Sequence, residues 1–137
     1  MDEREDFGTT IRRSHADAER ALLNGEPDQY LAMWSTRDPV TAMGAIDSDV
    51  TTSRWDGVSQ ALKLVTSRNS DCTEYVFDVV AAEVLGDMEY TVGFEHFTSS
   101  FREGAPSPRT FRVTHIYRRE NGDWKLAHRH ADLASEG

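Results

Sequence analysis

The sequence holds a single cysteine, Cys72, in 137 residues. No intramolecular disulfide can form, and a reducing compartment, the cytoplasm, is the expected location. Asp71 precedes the thiol and disfavours a thiolate, so Cys72 reads as structural. Long apolar runs are also missing. Nothing approaches the length of a membrane span, and no segment has the layout of a signal peptide. Positive charge is scarce, with 15 Lys and Arg against 24 Asp and Glu and a net charge of −9. Nucleic acid and anionic membrane both call for a basic surface, so neither is expected as a partner. A glycine-rich phosphate loop, a nucleophile-elbow serine, a zinc-type cysteine pair and a long heptad repeat are absent as well. No cofactor is expected.

What is present reads as one domain over residues 1–137, with a core from about 8 to 133, long enough to bury a hydrophobic core unaided. Phe7, Ile11, His15, Ala18 and Leu22 recur at three- and four-residue spacing and predict a helix. "NGEP" at 24–27 ends it and starts another, short and apolar, through Tyr30, Leu31, Met33 and Trp34. "DPVTAMGAI" reads as a first strand, and "DGVSQALKLVTSR" as a third helix burying Val58, Leu62 and Val65. From about residue 72 the period changes to two. Tyr75, Phe77, Val79 and Ala81 alternate with Val76, Asp78, Val80 and Ala82, and Val92, Phe94 and His96 with Thr91, Gly93 and Glu95, across a tight turn at Gly86-Asp87. Two last strands flank "ENGD", where Asn-Gly suits a two-residue type I′ turn. Helices first and an antiparallel meander after them give an α+β layout, a curved sheet with helices on one face.

Three of the five histidines fall in "RVTHIYRRENGDWKLAHRHAD". Counting outward from the turn sets Tyr117 against Leu126, His115 against His128, and Val113 against His130. Facing residues point the same way, with Cβ atoms about 4.5–5.5 Å apart. The expected inner face therefore carries His115, His128, His130 and Asp132 with Phe111, Val113, Tyr117, Trp124 and Leu126. The same counting from Gly86-Asp87 sets His96 against Phe77 and Phe94 against Val79, also inward. The expected outer face carries Arg112, Thr114, Ile116, Arg118, Lys125 and Arg129, part of a late concentration of basic residues that reads as a solvated or partner-facing side. Opposed imidazoles sharing a proton suit general acid–base work near neutral pH. His115 and His128 are the expected base and donor, assisted by His130 and Asp132, with His96 close by. Tyr30, Trp34, Trp55, Phe77 and Phe94 would wall the pocket, Trp55 as a lid, and His15 would reach it from the first helix. His115, His128 and His130 also reach the ligand count of catalytic zinc. Side chains two apart on a strand splay, however, and no metal is expected.

The pattern "RVTHIYRRENGDWKLAHRHAD", with "YTVGFEH" and "NGEPDQYLAMWS" before it, resembles the SnoaL-like domains of the nuclear transport factor 2-like superfamily, from about residue 8 to 133. The resemblance implies a cone-shaped α+β barrel with a blind pocket between three helices and a bent sheet. It also implies a homodimer through the outer sheet face and a small apolar or aromatic ligand. Steroid isomerases of that superfamily use an aspartate base and a tyrosine donor. Here Ala42 or Met43 and Ala18 stand at those places, so that machinery is missing. The Asp-Arg-Asp arrangement of the epoxide hydrolases has no counterpart, although Asp132 could hold one corner. The expected function is a small-molecule pocket doing acid–base isomerisation, dehydration or cyclisation. The alternative is a non-catalytic binding or dimerisation module of the same fold.

Overall fold

The computed structural model describes residues 14–44 and 51–136. Its helices are α1 over 14–22, α2 (Asp28–Leu31) and α3 (Trp55–Arg68). Its strands are β1 (Thr41–Gly44), β2 (Thr51–Thr52), β3 (Asn69–Leu85), β4 (Met88–Phe101), β5 (Ser107–Glu120) and β6 (Asp123–Glu136). They form one sheet in the order β2-β1-β6-β5-β4-β3. Neighbours run antiparallel except β1, which lies parallel to β6 and pairs Ala42 with Arg129. The helices cover the inner face of this curved sheet, as the α+β reading expects. Ala18, Leu22, Tyr30, Trp34, Val58, Leu62, Tyr117 and Leu126 form the core between the layers.

Most elements follow from local rules. His15, Ala18, Glu19 and Leu22 are the buried stripe of α1 at helical spacing; Phe7 and Ile11, expected on the same stripe, lie outside the described residues. Gly25, at φ 85, ends the helical stretch in the left-handed region that glycine tolerates. Asn121 and Gly122 both have positive φ (52 and 84), as a type I′ turn requires. The second helix is shorter than its apolar run suggests. Met33 accepts from the Leu126 amide and Ser35 donates to the Leu126 carbonyl, both at 2.8 Å, which pulls the chain out of helix and alongside β6. Trp55 is the first residue of α3 and packs on the core. Its amide donates to Asp38 Oδ1 at 2.8 Å, satisfying one of the open N–H groups at the helix start. The expected loop lid at Trp55 is thus corrected to a helix-opening core residue.

Two bulges overturn the expected faces. Between β5 and β6, Tyr117 pairs with Leu126 as counted, but Ile116 pairs with His128, so Ala127 is an extra residue on β6. Beyond it His115 faces Arg129 and Val113 faces Ala131, not His128 and His130. A one-residue slip exchanges the two faces of a strand. Arg129 enters the interior, while His128, His130 and Asp132 leave it. Between β3 and β4 the ladder slips at Val80, so Asp78 faces Phe94, Phe77 faces Glu95 and Val76 faces His96. On β4 the buried parity is Glu89, Thr91, Glu95, Phe97 and Ser99, not Val92, Phe94 and His96. Gly93 sits opposite this bulge, and a Cβ there would collide with the Asp78 carbonyl. Glycine is what allows β3 to press so close.

Candidate functional site

The inner faces of α1, β4, β5 and β6 place five ionisable groups together. α1 contributes His15 and, one turn later, Glu19. β4 contributes Glu95, β5 contributes His115, and β6 contributes Arg129 through the slip at Ala127. His15, Glu19, Glu95 and His115 are all buried. Arg129 grips Glu95 with two donors, Nη1 to Oε2 at 2.8 Å and Nη2 to Oε1 at 2.7 Å. Nη1 also donates to His115 Nε2 at 2.9 Å and lies 3.2 Å from Glu19 Oε1. His15 Nε2 lies 3.4 Å from Glu19 Oε1 and 3.7 Å from Glu95 Oε2. Its Nδ1 meets the Tyr117 hydroxyl at 3.1 Å, and the Tyr75 hydroxyl donates to Glu95 Oε2 at 2.5 Å.

These contacts set the charges. Burial opposes an ionised Glu95, but the guanidinium beside it and the His15 contact override that and hold its carboxyl well below the usual range. Burial opposes a charged His15 too; contact with Glu19 and Glu95 outweighs it and raises that ring above its ordinary value. His115 goes the other way. Burial and the positive charges of His15 and Arg129 push it well below 6.5, so it is neutral. Because its Nε2 accepts from Arg129, its proton sits on Nδ1, which has no partner among the described residues. Arg129 and a His15 ring held toward its charged form face the carboxyl groups of Glu19 and Glu95 in one buried cluster. Such clusters persist only when each charge is paired.

Ligand atoms of His15, Glu19, Glu95 and His115 lie within 4.8 Å of one another, a donor set that could hold a metal ion. Arg129 Nη1 already stands against three of those four side chains. The guanidinium supplies the positive charge such donors call for. Among the described residues His115, His128 and His130 form no such group.

A cavity of about 70 Å³ opens onto this cluster. A water needs roughly 10–15 Å³ of such space, so the cavity has room for several waters' worth of ligand. Its lining is mostly apolar, with Leu22, Leu62, Val65, Phe97, Phe101 and Phe111 among it. Glu19, Tyr30, Glu95 and Arg129 contribute the polar atoms at the cluster end. The Tyr30 hydroxyl is buried without a partner among the described residues. Burial and the nearby Glu19 push its pKa well up, so it stays protonated and able to donate. A guanidinium has five N–H donors. Three of those on Arg129 are used above, and among the described residues Nε–H and one Nη2–H have no hydrogen-bond partner.

The expected site residues are distributed as follows. His115 is in the cluster, His15 is in it as a charged member, and Tyr30 lines the cavity. Trp34 and Phe77 are not cavity walls: Trp34 is core, and Phe77 packs on the rings of His15 and His115, each at 5.5 Å. His128 accepts or donates at Thr41 Oγ1, 2.6 Å away, and its pKa is lowered by partial burial and by His130. Asp132 forms a two-pronged pair with Arg112 (3.0 and 3.2 Å), and His96 pairs with Asp78 at 3.0 Å. Phe94, His130, Arg112 and Asp132 border a wider and more open cavity, of about 380 Å³, on the other face of the sheet. Sequence reasoning missed Glu19, Glu95 and Arg129. Glu19 carried a signal: it is four residues after His15, on the same helix face.

A model of the family described as SnoaL-like domain matches residues 11–134. Several solved structures share the fold. A candidate dehydratase of the nuclear transport factor 2-like family from Streptomyces avermitilis is 18% identical with a TM-score of 0.72, over 93% of this chain and 99% of that one. A conserved protein from Planctomyces limnophilus is 16% identical at 0.74, over 98% of each chain. A nuclear transport factor 2-like protein from Cytophaga hutchinsonii is 13% identical at 0.70, over 97% and 99%. At such identities the likeness carries the fold and leaves the chemistry to the site. No curated protein matches the sequence at a significant level.

Proposed function

The chain belongs to the SnoaL-like domain family, and on that premise we propose that its cavity performs cofactor-independent acid–base chemistry on a small, mostly apolar carbonyl compound. One observation carries the reading: a buried carboxylate, Glu19, and spare Arg129 donors line a cavity whose other walls are apolar. Glu19 is the proposed base. The C–H bond beside the carbonyl breaks, its proton goes to Glu19, and the electron pair moves onto the carbonyl oxygen. The Tyr30 hydroxyl and the spare Arg129 N–H groups stabilise that oxygen, at strength in a site of low dielectric. Return of the proton from Glu19 to another carbon gives isomerisation; its transfer to a β-hydroxyl, which leaves as water while the enolate collapses to the unsaturated carbonyl, gives dehydration. Glu95 stays ionised and holds Arg129 in place. Of the proposed histidine machinery, His115 remains as the group that accepts from Arg129, and His15 as the cation behind Glu19.

A test needs no knowledge of the natural substrate. The protein is incubated with 2-indanone in deuterated buffer, and loss of the α-proton signal is followed by NMR. Exchange well above the buffer rate supports the proposal. Binding without exchange contradicts it and leaves the ligand-binding module.

We further propose a homodimer through the outer sheet face. Val76, Val80 and Val92 are exposed there, 68% in the case of Val80, beside the half-buried Phe94 and Ile116. Contiguous apolar exposure of this kind marks an interface. The chain should sediment as a dimer at micromolar concentration, and V80K/V92K should be monomeric. A monomeric native chain would rule the dimer out. Among the described residues no helix is long and apolar enough to cross a membrane.

A further inference from the structure

Cys72 and Tyr75 both point into the core, 6% and 8% exposed, although they lie three residues apart on β3. A regular strand alternates its side chains and would send one of them outward. The ladder to β4 accounts for it: Thr73 pairs with Thr98 and Val76 with His96, so Glu74 and Tyr75 together oppose Phe97. Glu74 carries this bulge at φ 48, in the left-handed region that a residue other than glycine seldom adopts. Bulges re-aim side chains, and backbone strained in this way gathers at working sites. Here it lays the Tyr75 ring on Phe97, 6.1 Å between centroids and 26° from parallel.

The hydroxyl lands on the charged cluster. It donates to Glu95 Oε2 at 2.5 Å, the length of a strong bond to a carboxylate. Burial and the charge of Glu95 push the phenol well above its ordinary value, so the proton stays on Tyr75. Both oxygens of Glu95 also accept from Arg129, Oε2 from Nη1 at 2.8 Å and Oε1 from Nη2 at 2.7 Å. A carboxylate and a guanidinium alone can rock together as one plane, and a donor arriving on Oε2 from another strand pins that plane. Among the described residues Phe97, Glu95 and Arg129 line the cavity, and Tyr75 stands behind them.

We propose that Tyr75 is a positioning residue for the cavity reaction: its hydroxyl fixes the Glu95–Arg129 pair so that the guanidinium faces the carbonyl oxygen of the substrate. This role rests on the cavity being the site of that reaction. Tyr75 touches no reacting atom and moves no proton; it acts through Glu95. A small displacement of a donor slows the reaction far more than it weakens binding, because the oxyanion it meets develops only in the transition state. Phe97 belongs to the same arrangement, with the Tyr75 ring on one side and the cavity on the other.

The test follows α-proton exchange of 2-indanone in the native chain, Tyr75→Phe, Glu95→Gln and the double variant, below all four melting temperatures. Tyr75→Phe keeps the ring on Phe97 and removes only the hydroxyl. Its rate at saturating ketone should fall about tenfold, with ketone affinity within about twofold of native. Adding Tyr75→Phe to Glu95→Gln should slow exchange no further, because the hydroxyl then has no carboxylate to fix. Ring-nitrogen NMR should show a moved signal for His115 Nε2, which accepts from Arg129 Nη1. An unchanged rate, a loss confined to affinity, an unmoved His115 signal, or the full loss repeated on top of Glu95→Gln overturns the role. No exchange by the native chain removes the cavity reaction, and this role with it. If Tyr75→Phe does not fold, 3-fluorotyrosine at position 75 replaces it. That more acidic phenol pulls harder on Glu95 Oε2 and should slow exchange by a smaller factor; a native rate overturns the role.

Discussion

Replacing Glu19 by Gln slows exchange of the 2-indanone α-proton by about a hundredfold or more, the usual contribution of a positioned general base. Gln has the same shape and still accepts a hydrogen bond from His15 or Arg129, so ketone affinity should change little. The effect falls on turnover rather than on binding, as removal of a group used only in the transition state requires. Glu95→Gln behaves differently. Glu95 is the two-pronged partner of Arg129, so its loss loosens the guanidinium and lowers stability. Tyr30→Phe keeps the ring and removes only the unpartnered hydroxyl; it should slow exchange less than Glu19→Gln. Unchanged exchange in the Glu19 variant would move the base elsewhere.

Arg129→Met should cost about 3–5 kcal/mol, the range for removing one partner of a buried charge pair. The Arg129 side chain is 12% exposed and its partners Glu19 and Glu95 are 5% and 1% exposed, so solvent screens the loss weakly. For a chain of this length that is a fall in melting temperature of roughly 10–20 °C. The loss comes from carboxylates left without a cation, so removing one carboxylate should repair part of it. R129M/E95L should be more stable than R129M alone, as apolar replacement of a buried pair often is. Thermal unfolding of the four proteins in this cycle measures the coupling. A sum of independent single losses would mean that the pair is not a unit.

The layout was legible in the sequence, and of the site only His15, His115 and Tyr30 were. Helical spacing through His15 and Leu22, the breaker at Gly25 and the turn at Asn121-Gly122 are local signals, and each produced its element. The faces of β4 and β6 depend on bulges at Val80 and Ala127, where one unpaired residue exchanges interior and exterior. No residue type announces a bulge in "VFDVVAAEV" or "DWKLAHRHAD". Hydrophobic pattern misled for a second reason. The outer face carries Val76, Val80, Val92 and Phe94, while the inner face carries Glu89, Thr91, Glu95 and Ser99. A protein that buries a polar cluster and leaves apolar side chains on the outer face of its sheet reverses the usual signal. Phe97 and Phe101, on the same parity as Glu95, were the contrary hint.

Ring-nitrogen NMR of the histidines across pH tests the buried cluster most directly. The account requires the midpoint of His15 above 6.5 and that of His115 well below it, with its Nδ1 protonated. Stability follows the same signs. His15 contributes below 6.5 and its share is lost as pH rises through its folded value. His115 contributes above 6.5, and Glu95 above 4.5; both shares are lost as pH falls. Two midpoints split in this order support a buried cluster in which His15 carries the proton and His115 stays neutral. Both rings titrating together near 6.5, or His115 taking up its proton before His15, would contradict it.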